Sequence, residues 1–481
     1  MVKTKSTKKT ASALDLASGP KLAERFTATR PSIADRMAAG KALRTTVPKA
    51  SLGEYQPPVK RKDPVAILEA QAKTRLKQLI PVRYARMLAS PFAFLRGTAA
   101  IMAQDLSASS VTGLQVQACG DMHVSNFGVF ASAERNLVFG INDFDETLPG
   151  PWEWDLKRLV ASAVVAGQFL GRDRQTCEIF SRSVVSSYRQ HIREYAEMGY
   201  LATWYSVIKE EDIEAIVPPK LLPTWRKAIA KAKKGSHLQV LEKMTDLVDN
   251  KQRIVENAPF VVRETETEQG MPIREALGLF LQQYLASLPE DRRQLISRYQ
   301  VLDVARKVVG VGSVGTRCWI AFMRGADEGD PLFLQLKEAQ TSVLAPHLKN
   351  APTYQNQGLR VVSGQRLIQG SPDILLGWGV ISGTEFYVRQ LRDMKGSYDF
   401  DPDTTSTKGM ETYCGLCGWA LALAHAKSGD PAMIAGYVGK SDELDEALTK
   451  FAFTYGEQNE RDYAELQEAA RTHRITVSDV S

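Results

Sequence analysis

The spacing of apolar residues changes twice along the chain, and the changes divide it. Residues 1 to about 60 mix Lys, Ser, Thr, Ala and Pro with little periodicity, the texture of a basic flexible arm. From Pro64 to Leu106, the runs VAILEAQAKTRLKQLI and FAFLRGTAAIMAQDL repeat apolar residues at three and four, which predicts helices. The short run Leu114 to Ala118 predicts a strand, and Leu137-Val138-Phe139-Gly140-Ile141 is an apolar run that closes a short hairpin. After Pro151, WEWDLKRLVASAVVAGQFL reads as a helix strongly apolar on one side, and a second helix follows over Ser181 to Met198. Residues 205 to 260 alternate acidic and basic blocks, with WRKAIAKAKK as a basic helix whose charges form a solvated face.

From Lys307 the period drops to two. VVGVGSVGTRCWIAFM carries glycines and then an alternating run, a polar turn follows over Arg324 to Asp330, and PLFLQLKEA reads as the partner strand. GLRVVSGQRLIQ predicts a helix and TEFYVRQLRDM a further strand. Helical spacing returns from Thr412 to the C-terminus. The expectation is an α+β fold of two lobes. An arm over 1–60 precedes a helical lobe over 61–305 that contains segment 119–156, then comes a β-rich lobe over 306–396, and helices of 397–481 complete the large lobe.

Composition narrows the function classes. Of the formal net charge of +6, residues 1 to 47 carry ten Lys and Arg against Asp15, Glu24 and Asp35, a local +7, so the remainder stands at −1. A basic stripe through the folded body is therefore not expected, and nucleic-acid contact is confined to the arm. The five cysteines are odd in number and scattered, which fits a reduced compartment. No signal core or membrane-length run is read, so the expected location is the cytoplasm.

Candidate chemistry concentrates in Gly120 to Leu156, GDMHVSNFGVFASAERNLVFGINDFDETLPGPWEWDL, with two acidic clusters, the Asn126 amide and one histidine in 37 residues. Phosphoryl transfer needs a carboxylate to orient the attacking hydroxyl and oxygen ligands for Mg²⁺. Asp121 is the candidate base, Asn126 and Asp143 the candidate metal ligands, and Asp145 a third ligand two residues on. His123 is either a proton shuttle or metal ligand, or a structural histidine of the loop. Gly310, Gly312 and Gly315 form GxGxxG, but TRCWIAF after them is β-rich, so a strand–glycine loop–strand replaces the helix that a dinucleotide fold requires. An ordinary glycine-rich hairpin has the same pattern. Lys337, on the following strand, is placed to contact phosphates. Cys119 and His123 make half a zinc site at best, Cys414 and Cys417 lie in a helical apolar pattern, and no GxSxG elbow is present.

GDMHVSNF and INDFDETLPGPWEWDL resemble the catalytic and metal-binding segments of the aminoglycoside phosphotransferase and choline kinase group. More of the chain, from SPFAFLRG through GVGSVGTR, KEA, YVRQLRDMKGS and CGWALALAHAKSGD, resembles a bacterial family of unknown function with a kinase-like fold. The resemblance implies a catalytic role for Asp121, metal ligation by Asn126 and Asp143, a structural role for Asp155, and nucleotide contact by the glycines and Lys337. It also implies a circularly permuted, protein-kinase-like order, because the glycine loop follows the catalytic segment and the LALAHAKSGD helix lies near the C-terminus. Cys119 replaces the histidine of the pattern. The helix after Lys337 offers it no glutamate, since Asp373 is the only acid between Ala339 and Thr384. The expected activity is transfer from ATP, with Mg²⁺, to a hydroxyl of a small molecule or protein. The alternatives are AMP transfer, nucleotide binding without turnover as in a pseudokinase, and a scaffold or nucleic-acid-binding role carried by the arm.

Overall fold

The computed structural model describes residues 24, 26–235, 237–248, 251–391 and 394–479. Residues 1–23, the first part of the basic arm, lie outside the described residues. The rest of the expected flexible arm is docked. Helix α1 (Ile33–Ala42) starts at a capping box between Ser32 and Asp35, which satisfies two N-terminal amides reciprocally. It packs on the helix Pro431–Val438 so closely that a Cβ on Gly40 would lie 1.9 Å from the Met433 carbonyl oxygen. Arg44 then donates to the Gly436 and Tyr437 carbonyls, and the buried Lys49 ammonium meets Glu443 at 3.1 Å. The sequence hid this docking because small residues and polar caps, rather than an apolar stripe, make it.

The helical run predicted over Pro64 to Leu106 is cut into four short helices, α2 (Pro64–Ala72), α3 (Ile80–Leu88), α4 (Pro91–Arg96) and α5 (Ala99–Leu106). Prolines and polar caps set the starts: Asp63 and Ser90 accept amide hydrogens of the first turns of α2 and α4. Strand β1 (Gln115–Ala118) pairs with β4 (Leu148–Pro151), and between them β2 (Phe127–Ala131) and β3 (Leu137–Ile141) form an antiparallel hairpin. Helix α6 (Trp152–Phe169) follows without a break and is buried from Trp152 through Gly167. It is the centre of the large core, flanked by α7 (Arg174–Glu197) and by two helices from the far end of the chain, Thr407–Ser428 and Glu443–Arg471.

Strand β5 (Ile208–Lys209) pairs with β3, and β6 (Thr245–Val248) pairs with β7 (Lys251–Ile254). The second body is an antiparallel sheet of six strands, β8 (Val261–Val262), β9 (Gln300–Lys307), β10 (Cys318–Arg324), β11 (Pro331–Glu338), β12 (Gly377–Ile381) and β13 (Thr384–Gln390), in the order β12-β13-β11-β10-β9-β8. It thus begins upstream of residue 306, because VLDVARK before the glycine loop is already a full strand. Phe280 and Tyr284 of the helix Ile273–Ser287 cover one face, and Val240 and Ile254 pack against the other. Helix α8 (Gln357–Ile368) runs between this sheet and the helical body. The helix Thr407–Ser428 ends against β1, where the Gln117 amide donates to Ser428 Oγ at 3.1 Å. Among the described residues, no helix is long and apolar enough to cross a membrane.

Candidate functional site

The loop after β1 is held from below by α6. Asp155, in the first turn of α6 and 1 % exposed, accepts the Cys119 amide at 2.6 Å on one oxygen and the Gly120 amide at 2.9 Å on the other. His425 Nε2 stands 3.5 Å from Asp155, and its Nδ1 meets the Tyr188 hydroxyl at 2.8 Å, so three chain-distant segments fix one carboxylate. Further along the loop, the Val124 amide donates to Ser162 and the Asn126 side-chain amide donates to the Asp121 carbonyl at 2.6 Å. The Cys119 thiol, in the position of the pattern's histidine, donates to the Asp143 carbonyl and so ties the two acidic clusters together.

Asp121 projects into a cleft between the two bodies. The Arg158 guanidinium, one turn after Asp155 on α6, binds Asp121 Oδ1 through Nε at 2.8 Å and through Nη2. Burial pushes the Asp121 carboxyl above the ordinary carboxylate range, with Arg158 working against it. His123 Nε2 is 3.8 Å from Asp121 Oδ2, and burial together with Arg96 and Arg158 pushes the imidazole well below its usual range, which keeps it neutral. Its Nδ1 has no partner among the described residues, so the loop does not anchor it by that atom.

The hairpin β2–β3 delivers Asp143 and Asp145 opposite Lys337 of β11. Lys337, 4 % exposed, pairs with Asp145 Oδ2 and stands 3.5 Å from Asp143 Oδ2. Asp145 also accepts the Tyr387 hydroxyl at 2.7 Å and the Ser313 hydroxyl at 3.2 Å. The lysine's acid therefore comes from this hairpin, while α8 contributes Arg360, which donates to the Asp145, Thr147 and Gln340 carbonyls. Burial raises the Asp143 carboxyl, but Lys337 and Arg389 outweigh it and leave Asp143 below the usual range. Burial and the Asp143 charge raise Asp145 despite Lys337. Glu146 is pushed up to about 7 by burial, with Arg360 opposing.

The glycine loop between β9 and β10 closes the cleft from above. Gly310 and Gly312 line it, and Gly315 faces away, packed on the N-terminal segment. Gly315 has φ of +89°, and a Cβ there would lie 3.0 Å from Arg75 Cβ. The Leu76 amide donates to the Gly315 carbonyl, and Arg75 and Arg86 donate to the Val314 and Gly310 carbonyls. The cleft is open to solvent, and its empty space, counted with that open solvent, is about 920 Å³.

Asp121, His123, Asn126, Asp143, Asp145, Gly310 and Gly312 all line this one cleft, and Lys337 reaches it through the aspartates. Among the described residues, no group of three or more His, Cys, Asp or Glu side chains is arranged as a metal cage. The oxygens best placed for a cation are those of Asp143, which is one-third exposed, and Asn126 Oδ1, which accepts no hydrogen bond among the described residues. That donor set suits Mg²⁺, which takes one or two protein oxygens and completes its shell with phosphates and water. Both Asp145 oxygens are already engaged, so its primary role is to anchor the lysine.

Sequence reasoning missed Arg158, Tyr387, Arg389 and the arginines of α2–α4. Arg158 alone left a signal, as a cation three residues after Asp155 inside an apolar helix. Over residues 75–469 the chain matches a family described as "Uncharacterized protein conserved in bacteria (DUF2252)". No curated protein and no solved structure matches it.

Proposed function

The chain belongs to this conserved bacterial family, and for it we propose Mg²⁺-dependent phosphoryl transfer from ATP to a hydroxyl, on a kinase-like scaffold of circularly permuted order. The observation that carries the reading is the meeting of Asp121, Asn126, Asp143, the Asp145–Lys337 pair and the glycine loop in one cleft, from segments about two hundred residues apart. The permutation is supported by the Thr407–Ser428 helix, which ends beside β1 although the contacting residues are 311 apart in sequence. In the ordinary kinase order that helix leads into the catalytic loop.

Each residue has work suited to this reaction. Asp121, raised by burial but steadied by Arg158, accepts a hydrogen bond from the acceptor hydroxyl and takes its proton as the bond to phosphorus forms. Lys337 supplies positive charge beside the phosphates, and the Asp145 contacts with Tyr387 and Ser313 fix its position. Asn126 and Asp143 would hold Mg²⁺, which when bound neutralises phosphate charge. The backbone of Gly310 to Ser313 lines the cleft where the phosphates would lie.

A second reading, nucleotide binding without turnover, is favoured by the Arg158 ion pair, which engages the base. Transfer of the γ-phosphate of labelled ATP to water or to added hydroxyl acceptors separates the two. The proposal expects Asp121→Asn to lower transfer about 10²–10⁴-fold while nucleotide still binds. Full transfer by Asp121→Asn would overturn it.

A further inference from the structure

The wall of the cleft facing the acidic clusters is built by the N-terminal helices and carries Arg75, Arg83 and Arg96. Arg75 lies in the turn after α2, Arg83 on α3, and Arg96 closes α4. Arg83 is 1 % exposed. Its Nη2 donates to Gln71 and to the Gly97 carbonyl, but its Nε and Nη1 have no partner among the described residues. The Nε atoms of Arg75 and Arg96 are buried and likewise unpartnered among them.

None of the three forms an ion pair among the described residues, and the carboxylates nearby already have their own partners. Asp121 is held by Arg158, Asp145 and Asp143 by Lys337, Glu146 by the Val343 amide, and Glu338 by Arg317. Burial lowers all three arginines, and Arg75 adds like-charge repulsion on Arg83. Arg83 is buried and Arg75 and Arg96 are half-buried; a desolvated cation without a hydrogen-bonded counter-charge is unfavourable, and three on one wall call for an anion. Guanidinium forks match tetrahedral oxyanions by paired N–H donors.

We propose that Arg75, Arg83 and Arg96 form an oxyanion subsite for a phosphoryl group, lying beside Asp121 in the cleft. The inference deepens the phosphotransferase reading by naming an anionic group the site must accept. That group is either the terminal phosphate of the donor or a phosphate carried by the acceptor. The subsite adds charge selection that the glycine loop and Lys337 do not supply, and it explains why the N-terminal segment clamps that loop.

The test is calorimetric titration of the full chain with inorganic phosphate in the absence of Mg²⁺. Arg96→Gln is the first variant, because Arg96 donates no side-chain hydrogen bond within the described protein, and Arg75→Gln is the second. Wild-type protein is expected to bind phosphate, and each variant to bind it about 10- to 100-fold more weakly, with thermal midpoints in phosphate-free buffer close to wild type. Asp143→Ala should bind phosphate normally, which keeps this subsite distinguishable from the metal-dependent nucleotide reading. Competition of phosphate with Mg-ATP but not with Mg-ADP assigns the subsite to the donor, and joint binding of phosphate and Mg-ATP assigns it to the acceptor. Absence of phosphate binding by the wild type, or wild-type affinity in both arginine variants, overturns the proposal.

Discussion

Asp155→Asn isolates the contact that shapes the candidate catalytic loop. Asp155 is buried, and its two oxygens separately accept the Cys119 and Gly120 amides at 2.6 and 2.9 Å. An asparagine keeps one acceptor and turns an N–H₂ toward the other amide. One charge-assisted bond is lost, its buried donor is left unsatisfied, and the surviving bond becomes neutral. Together these cost about 2–4 kcal/mol. The cost falls on the loop carrying Asp121, so amide exchange over residues 115–126 should accelerate by a larger factor than exchange in the six-stranded sheet. Hydrogen exchange read by mass spectrometry, with urea unfolding alongside, measures both. A variant within about 0.5 kcal/mol of wild type and with unchanged loop exchange would refute the clamp.

Three further outcomes follow from the same geometry. Lys337→Met leaves Asp143 and Asp145 facing each other with Arg389 still beside Asp143 but without the lysine they share, and should cost about 3–5 kcal/mol in urea unfolding; adding Asp145→Asn should recover part of it, and additive losses would show the pair to be uncoupled. Glu146 binds its proton up to about pH 7 in the folded chain but only to about 4.5 when unfolded, so stability should fall as pH rises between those values. Glu146→Gln, still facing Arg360 and the Val343 amide, should remove about 1–2 kcal/mol of that dependence, allowing for partial exposure, and an unchanged pH profile would contradict the assignment. Gly315→Ala must adopt φ near +89° against Arg75 and should cost about 1–3 kcal/mol, read as a lowered thermal midpoint.

Elements with one strong local signal were legible in the sequence. The 137–141 strand, the buried helix after Pro151, the strand–glycine loop–strand unit and the helix at 357–368 all follow from period and turn residues. The cleft was legible in part, because Asp121, Asn126 and Asp143 sit on one short hairpin-linked stretch. What stayed hidden depends on contacts between distant segments. No periodicity marks Arg158 as the partner of Asp121, or Tyr387 as a donor to Asp145 across 242 residues. The partner of Lys337 was sought on the following helix, where none exists, while the hairpin supplied it. The α1 segment read as loose because its docking uses glycines, caps and a buried lysine. No sequence pattern marks Arg75, Arg83 and Arg96, and only the placement of the glycine loop over them makes them part of a cleft.

The central claim is a metal-dependent nucleotide site between the two bodies. Calorimetry with ATP, with and without Mg²⁺, on the full chain and on Asp143→Ala tests it most directly. The account predicts binding that requires Mg²⁺ and that Asp143→Ala weakens by at least about tenfold, the loss of one metal-ligating carboxylate. Metal-independent binding unaffected by Asp143→Ala, or no binding under either condition, would contradict it.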